Sequence, residues 1–459
     1  MTKLRSRLPN YCTFLALGTL VLPISPYFCI ALYLGAIVVS ALSFNYKSLT
    51  REQTLIASSL IILSIWMMFR TGASWGWGIH SITQPMIYPV TLIDYLFCFS
   101  FFFLISLRSY KPSELRIIAW SFVLTALPVF IVALGEKYWD WQGKSFFYPH
   151  KYFAAIKVSI VALGVRLSAG FGNPNLLGFY CVLVLGVAIG LLLSEIDNMV
   201  FWNSPEFDDN DQLPEIVNGE LTRIFIILFC IFLLLLMLSW SGSRNAFILF
   251  LLIIISFTIY SKSKFLAITT STIFISISIS LSELGWLTLA LRRVIPTVLW
   301  SRLSNMSIST ENKRIEFYQC TIDLIREKPW MGWAIGNMPQ ECERRLGTQT
   351  YGVNHAHNIF LQLASEIGIP FTLALSGVIG YIVFISIRKF VNYYSEYQGE
   401  KYIIFGFLVA AISGIIMSCF ALAILHSYRL ISLFCICLAI PYAATTQRRL
   451  SPAREGSRE

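Results

Sequence analysis

Leu221–Trp240 reads LTRIFIILFCIFLLLLMLSW. Apart from Arg223 it carries no charge, and no polar face recurs along it. Roughly 20 mostly apolar residues in a row are what one helix needs to cross the hydrocarbon core of a bilayer. The pattern repeats on both sides. Before it come Tyr11–Ser25, Phe28–Phe44, Gln53–Phe69, Pro89–Leu107, Leu115–Gly135 and Pro174–Ser194. After it come Arg244–Tyr260, Phe265–Leu281, Gly368–Ile387, Tyr402–Leu425 and Leu430–Thr445. The expected fold class is therefore all-α, a polytopic membrane protein with about 12 transmembrane helices. The first two runs are short and meet at Pro23 and Pro26, so they read as a tight hairpin or one broken element.

Composition agrees. Of 459 residues, 56% are hydrophobic and only 13% charged, with a mean hydropathy of +0.67. Soluble domains carry about 25% charged residues. The shortfall leaves too little polar surface for a soluble protein of this length, and the hydrophobicity excludes disorder. Most of the ten cysteines sit inside apolar runs, which excludes a secreted disulfide scaffold.

Basic residues in short loops set orientation. With the N-terminus in the cytoplasm, the inner side holds Lys3, Arg5 and Arg7, then Lys47 and Arg51, Arg108 and Lys111, Lys262 and Lys264, Arg388 and Lys389, and the Arg448–Arg458 tail. The short outer connections carry one basic residue apiece or none, among them Arg70, Arg244 and Arg429. Met1–Arg7 is read as a cytoplasmic tail, because no small-residue cleavage site follows it. The acidic stretch Glu195–Glu220 is read as a solvated inner loop. The division that results is 1–281 for an N-terminal transmembrane region, 282–356 for a large, partly helical periplasmic loop, 357–445 for C-terminal transmembrane helices and 446–459 for a cytoplasmic tail. Two further outer segments stand out, Thr71–Tyr88 and Glu136–Asn173.

Four outer motifs could carry chemistry. Ser239-Trp240-Ser241-Gly242-Ser243-Arg244-Asn245 is a polar turn between two apolar runs. It puts Arg244 at a helix N-terminus, where backbone N–H groups and a guanidinium can hold one anion. The competing reading is a serine-capped turn with a snorkelling arginine. Arg166-Leu167-Ser168-Ala169-Gly170-Phe171-Gly172-Asn173-Pro174-Asn175 is a glycine-rich turn into the next span, with a further cation on that side. Arg314 opens a run to Glu327 whose apolar residues fall at helical spacing. It ends at Pro329, and Trp330-Met331-Gly332-Trp333-Ala334-Ile335-Gly336-Asn337 follows, with glycines that permit close backbone approach. An amphipathic helix lying on the membrane explains this run equally well.

The fourth motif is His355-Ala356-His357-Asn358, which begins a helix dipping into the membrane. Asn358, Gln362, Ser365 and Glu366 form one polar stripe on it. Such stripes mark function or bond to neighbouring helices. His357 sits at the mouth, with a near-neutral pKa suited to proton transfer. Two histidines two apart suggest a metal only weakly, and no further ligand stands at helical spacing. Cys320 and Cys342 fall on the oxidising side, where a disulfide is possible, but a helix separates them and the unpaired reading is preferred.

Ser243-Arg244, Arg314 ahead of an aromatic, Lys328-Pro329-x-x-Gly332-Trp333-x-x-Gly336-Asn337 and His357-Asn358-x9-Gly368-Ile369-Pro370 resemble the O-antigen ligase and Wzy-type polymerase superfamily. Arg166 and the turn through Asn175 match the family's outer turn too. The one departure is Phe371, where a small residue usually follows Gly-Ile-Pro. The resemblance implies an all-helical GT-C-type glycosyltransferase of the bacterial inner membrane, with its active site on the periplasmic side. It would be inverting and metal-independent, with no cofactor. The donor would be a glycan on undecaprenyl diphosphate and the acceptor a hydroxyl of a lipid or sugar. Ligation of O-antigen to lipid A-core is preferred over Wzy-type polymerisation and protein O-glycosylation.

By position, Arg244 and Arg314 would hold the diphosphate and His357 would serve as base on the acceptor. Arg166, Asn358 and Asn175 would assist in binding. The rival class is a transporter of bicarbonate or another anion. It would place ionisable groups near the midplane in repeated halves, whereas here only Asp94 and Glu366 read as intramembrane. The net charge of +10 divides between inner loops and an outer excess that includes Arg166, Lys313, Arg314, Arg344 and Arg345. That excess suits a diphosphate and anionic membrane lipids, not a nucleic acid.

Overall fold

The computed structural model describes residues 11–22, 26–43, 49–76, 87–108, 110–139, 166–202, 213–281, 285, 288–289, 308–346, 355–393, 400–420 and 428–444. Among the described residues every element is helical. In order these are α1 (Tyr11–Val21), α2 (Pro26–Ser43), α3 (Arg51–Gly76), α4 (Ile87–Ser106), α5 (Pro112–Leu124), α6 (Ala126–Tyr138), α7 (Pro174–Trp202) and α8 (Leu213–Ser241). There follow α9 (Arg244–Ser261), α10 (Lys264–Leu281), α11 (Ile308–Glu327), α12 (Met338–Leu346), α13 (Ile359–Ile367), α14 (Ile369–Tyr393), α15 (Lys401–Phe420) and α16 (Tyr428–Ala444).

Among the described residues seven stretches are long and apolar enough to cross a membrane: Arg51–Arg70, Pro112–Tyr138, Pro174–Met199, Gly219–Ser241, Arg244–Ser261, Ile369–Asn392 and Lys401–Phe420. The other five expected runs correspond to shorter apolar stretches, Tyr11–Val21, Phe28–Leu42, Leu92–Ser106, Leu266–Ser276 and Arg429–Ala443. The chain is thus an all-helical, multi-pass membrane protein. Much of the outer segments Thr71–Tyr88 and Glu136–Asn173 lies outside the described residues, as do most of 282–307 and all of 347–354.

The run Leu115–Gly135 lies within the single candidate span Pro112–Tyr138, which is divided at Thr125 into α5 and α6. Pro128 has no N–H for the Leu124 carbonyl, and its ring crowds that group. The Thr125 hydroxyl is hydrogen-bonded to the Phe122 carbonyl at 2.6 Å and to the Tyr180 hydroxyl at 2.6 Å.

The centre of the bundle is α7. Its apolar window is 89% buried, against 33% for α8 and α9, which face lipid on one side. A helix that is apolar all round belongs in an interior. It packs along α15, α8 and α9. Gly186 and Gly190 let α15 close in: a Cβ on Gly406 would stand 2.6 Å from the Gly186 carbonyl oxygen. Small residues four apart are the usual means of bringing helix backbones together in a bilayer.

At the end of α7 away from its N-terminus, ion pairs tie the bundle. Arg116 pairs with Glu195 at 3.6 Å and Glu400 at 3.2 Å, Arg223 with Glu195 at 3.8 Å, and Lys401 with Asp197 at 3.4 Å. Glu195 is therefore not part of a solvated loop, as the sequence suggested. It is a buried residue of α7, placed there because α7 runs two turns beyond the apolar stretch.

Candidate functional site

Two corners of the structure hold the residues singled out above. The first is where α6 ends and α7 and α9 begin. Gly178, one turn into α7, lies so close to α9 that a Cβ there would stand 2.8 Å from the Ser243 Cβ. The two helices therefore start side by side, with their positive dipole ends together. The Ser239–Ser243 turn leads into α9 through Gly242, whose φ of +57° favours glycine. Ser243 is the N-cap residue of α9, but its side chain makes no cap hydrogen bond. The first N–H groups of a helix have no partner within the helix. Arg244 follows, half-buried, with no carboxylate or other polar partner among the described residues. The serine-capped alternative is not what the chain adopts.

Arg166 braces this corner. Its Nε donates to the Ser241 carbonyl at 2.7 Å and its Nη2 to Asn175 Oδ1 at 2.9 Å. It thereby ties the α8–α9 turn to the first turn of α7. The Leu167 N–H donates to the Trp240 carbonyl at 3.1 Å, a second tie between the same two turns. The Asn175 N–H donates to Asn173 Oδ1 at 2.8 Å.

Glu136, on the last turn of α6, was not picked out from the sequence. Its carboxylate accepts from the Ser168 N–H at 3.0 Å, the Ser168 hydroxyl at 2.9 Å and the Ala169 N–H at 2.5 Å. It holds a turn in which Ala169, Gly170 and Gly172 all have positive φ. A carboxylate distant in sequence from its partners leaves no spacing signal.

The second corner is built from α11, α12, α13 and the strap between the first two. Cys320 and Cys342 are joined by a disulfide with their Cα atoms 5.8 Å apart, which corrects the unpaired reading. The strap turns the chain back after α11, so α12 returns beside it. Glu327 and Arg345 add a two-pronged ion pair at 2.5 and 2.8 Å. The Arg345 guanidinium holds the Glu327 carboxyl below its usual pKa, and Glu327 in turn raises that of Arg345. Trp333 donates from Nε1 to the Leu324 carbonyl at 2.9 Å, and Lys328 Nζ lies 3.7 Å from the centre of its ring.

The strap docks on the end of α13 by backbone bonds. The N–H groups of Trp333 and Ala334 donate to the Ser365 and Glu366 carbonyls at 2.7 and 2.8 Å, and that of Ile369 donates to the Pro329 carbonyl at 2.8 Å. This is what the glycines permit. A Cβ on Gly332 would stand 2.5 Å from the Glu366 carbonyl oxygen, and one on Gly368 would stand 2.6 Å from the Trp330 carbonyl carbon. Arg70 donates from Nη2 to the Gly332 carbonyl at 3.0 Å; the sequence reading used it only to orient the chain. Phe371, the family's departure, is buried in a cluster with Ile335 and Met67, and the Thr372 hydroxyl bonds back to Gly368 at 2.9 Å.

The polar stripe on α13 holds backbone. Asn358 Oδ1 accepts from the Phe360 and Leu361 N–H groups at 2.9 and 3.2 Å, which makes it the N-cap. Gln362 accepts from the Ala356 N–H at 2.8 Å and donates to Glu366, whose side chain also bonds to the Gly336 backbone. These bonds are a third outcome beside function and bonding to neighbouring helices, since they go to backbone next to the stripe or stay within it. They fix the loop that carries His357. His357 itself has a φ of +51°, a region few non-glycine residues adopt, and its ring centre lies 4.3 Å from that of His355.

Arg314 belongs to α11, one turn before Phe317. Its side chain lies outside the described residues. Phe317 and Ala356 share one buried cluster, so the backbone brings the Arg314 turn near His357. The two corners meet through α15, which packs on α7 and α9 and also on α13. Among the described residues no three His, Cys, Asp or Glu side chains converge as metal ligands would.

Residues 229–376 match the family model described as O-Antigen ligase (Wzy_C). That segment, about a third of the chain, carries the signature of the O-antigen ligase superfamily. The matched segment starts inside α8 and ends in α14, and it contains Arg244, Arg314 and His357; Arg166, Asn175 and Glu136 lie before it. No curated protein matches the chain.

Proposed function

We propose that this protein is an O-antigen ligase superfamily member and transfers a glycan from an undecaprenyl diphosphate donor to an acceptor hydroxyl at the periplasmic face of the inner membrane, most simply ligating O-antigen to lipid A-core. The observation that carries the proposal is the α9 start: an N-cap serine whose side chain makes no cap bond, and an arginine with no carboxylate partner among the described residues, inside the family's matched segment. That arrangement suits a diphosphate. The acceptor oxygen attacks the anomeric carbon as the lipid diphosphate leaves, inverting the centre. Arg244 and Arg314 stabilise the charge that develops on the leaving group, and His357 takes the acceptor's proton. Arg166, Asn175 and Asn358 act on the same site, the first two by fixing the turns around it.

The reading includes the division at 281, 356 and 445, about 12 crossings and cytoplasmic termini. The Cys320–Cys342 disulfide supports an oxidising side for the loop. The test is Arg244→Ala in native membranes. A donor of this kind contributes about 2.7–4 kcal/mol to the transition state. Transfer should fall by two to three orders of magnitude, while the protein still inserts and forms its disulfide. Normal transfer by that variant would refute the anion site. In a deletion strain, accumulated lipid-linked polymer marks a ligase, and single repeat units left in place mark a polymerase.

A further inference from the structure

We propose that Trp330 and Met331, at the tip of the strap, insert into the outer membrane interface and anchor the α11–α12 unit on lipid. Trp330 is 73% exposed, although the backbone on both sides of it is docked on the end of α13, at Pro329 and at Trp333 and Ala334. The backbone position of that tip is fixed relative to the bilayer. Pro329 and Trp330 lie against Gly368 and Ile369, and Ile369 is the first residue of the candidate span Ile369–Asn392. The tip is therefore level with the end of a membrane-crossing helix.

Exposed apolar residues stand on both sides of this junction. Leu373, one turn into α14, is 66% exposed on the face that the span presents to lipid. Ile369 and, on the strap, Trp330 and Met331 are exposed too. On α11, Ile315 and Ile322 are exposed and seven residues apart, so they share one helix face. Exposed apolar residues on a loop docked at the end of a spanning helix mark a membrane contact.

Tryptophan at the ends of spans sits at the headgroup level, where an apolar ring with one N–H is best accommodated. Lys328, two residues before Trp330, puts a positive charge beside the tip, complementary to lipid phosphates, while Arg326 is paired with Asp323 at 3.2 Å. The occupant is a lipid surface, and the anchoring would set the depth of the strap, and hence of α13 and the His357 loop, in the membrane. The inference needs the membrane reading only and is independent of the transfer chemistry.

The experiment places a photoreactive benzoylphenylalanine at residue 330 of the full chain, in nanodiscs of phosphatidylethanolamine and phosphatidylglycerol. Glu343, exposed on α12, serves as the control position. Illumination should give lipid adducts several-fold more often at 330 than at 343. Non-reducing electrophoresis shows that the variant has folded, through the Cys320–Cys342 bond. Placement at Met331 repeats the measurement if the first variant does not form that bond. Equal lipid labelling at 330 and 343, or adducts at 330 that join it to protein, would overturn the proposal.

Discussion

Replacing Gly368 by alanine should undock the strap from α13. A Cβ at this position would stand 2.6 Å from the Trp330 carbonyl carbon, and the residue's φ is +97°, which side chains rarely tolerate. The backbone strain alone is on the order of 1–3 kcal/mol. The added methyl cannot be relieved by a side-chain rotation, because what it meets is backbone. Separation to ordinary van der Waals contact would stretch the bonds from Trp333, Ala334 and Ile369, now 2.7, 2.8 and 2.8 Å long. At about 1 kcal/mol each, their loss adds roughly 3 kcal/mol. The sum is several kcal/mol against a local contact, so the strap should open.

The assay is amide hydrogen exchange over residues 329–337 in detergent or nanodiscs, with Gly377→Ala as control. Gly377 lies nearby in α14, but a methyl added there would meet nothing within 4 Å. That control should leave protection unchanged or raise it, since alanine favours helix by about 1 kcal/mol over glycine. Native protection at Trp333 and Ala334 in Gly368→Ala would show that the glycine contact does not hold the strap.

Two further outcomes follow from the same bonds. Glu136→Gln keeps shape but places an amide where a carboxylate accepts three hydrogen bonds, so it should loosen the 168–172 turn by on the order of 3 kcal/mol. Transfer should fall in step with lost protection of Ser168 and Ala169, and activity lost with full protection there would refute a bracing role. Cys320→Ser removes a cross-link that closes a separation of 22 residues, which constrains the unfolded loop by about 3 kcal/mol. Trypsin should then cut faster after Arg326 and Arg344, and wild type treated with dithiothreitol should match it; unchanged cutting in both would mean that the bond contributes nothing locally.

Different parts of this protein were legible to different degrees. Leu221–Trp240 announces a spanning helix because a bilayer imposes one rule on every residue in the run. Ser243-Arg244 and His357-Asn358 were visible as motifs because their residues are adjacent along the chain. The division at Thr125 was missed because a hydropathy window does not register one proline in an apolar run. Glu195 was misread because a helix can outlast its apolar stretch when its end finds ion pairs across the bundle. Glu136 and Arg70 carried no signal, since each meets partners far from it in the chain.

Sequence alone determined the class of solvent, the helical content and the short motifs, for these depend on local composition and spacing. Tertiary structure decided what each polar group does. It gave Arg166 and Glu136 to the turns beside Arg244, turned the α13 stripe into a scaffold for the His357 loop, and joined Cys320 to Cys342 across the strap. Whether a buried donor or charge holds backbone or awaits a ligand depends on which partners the packing brings within about 3 Å, and chain order does not encode that distance.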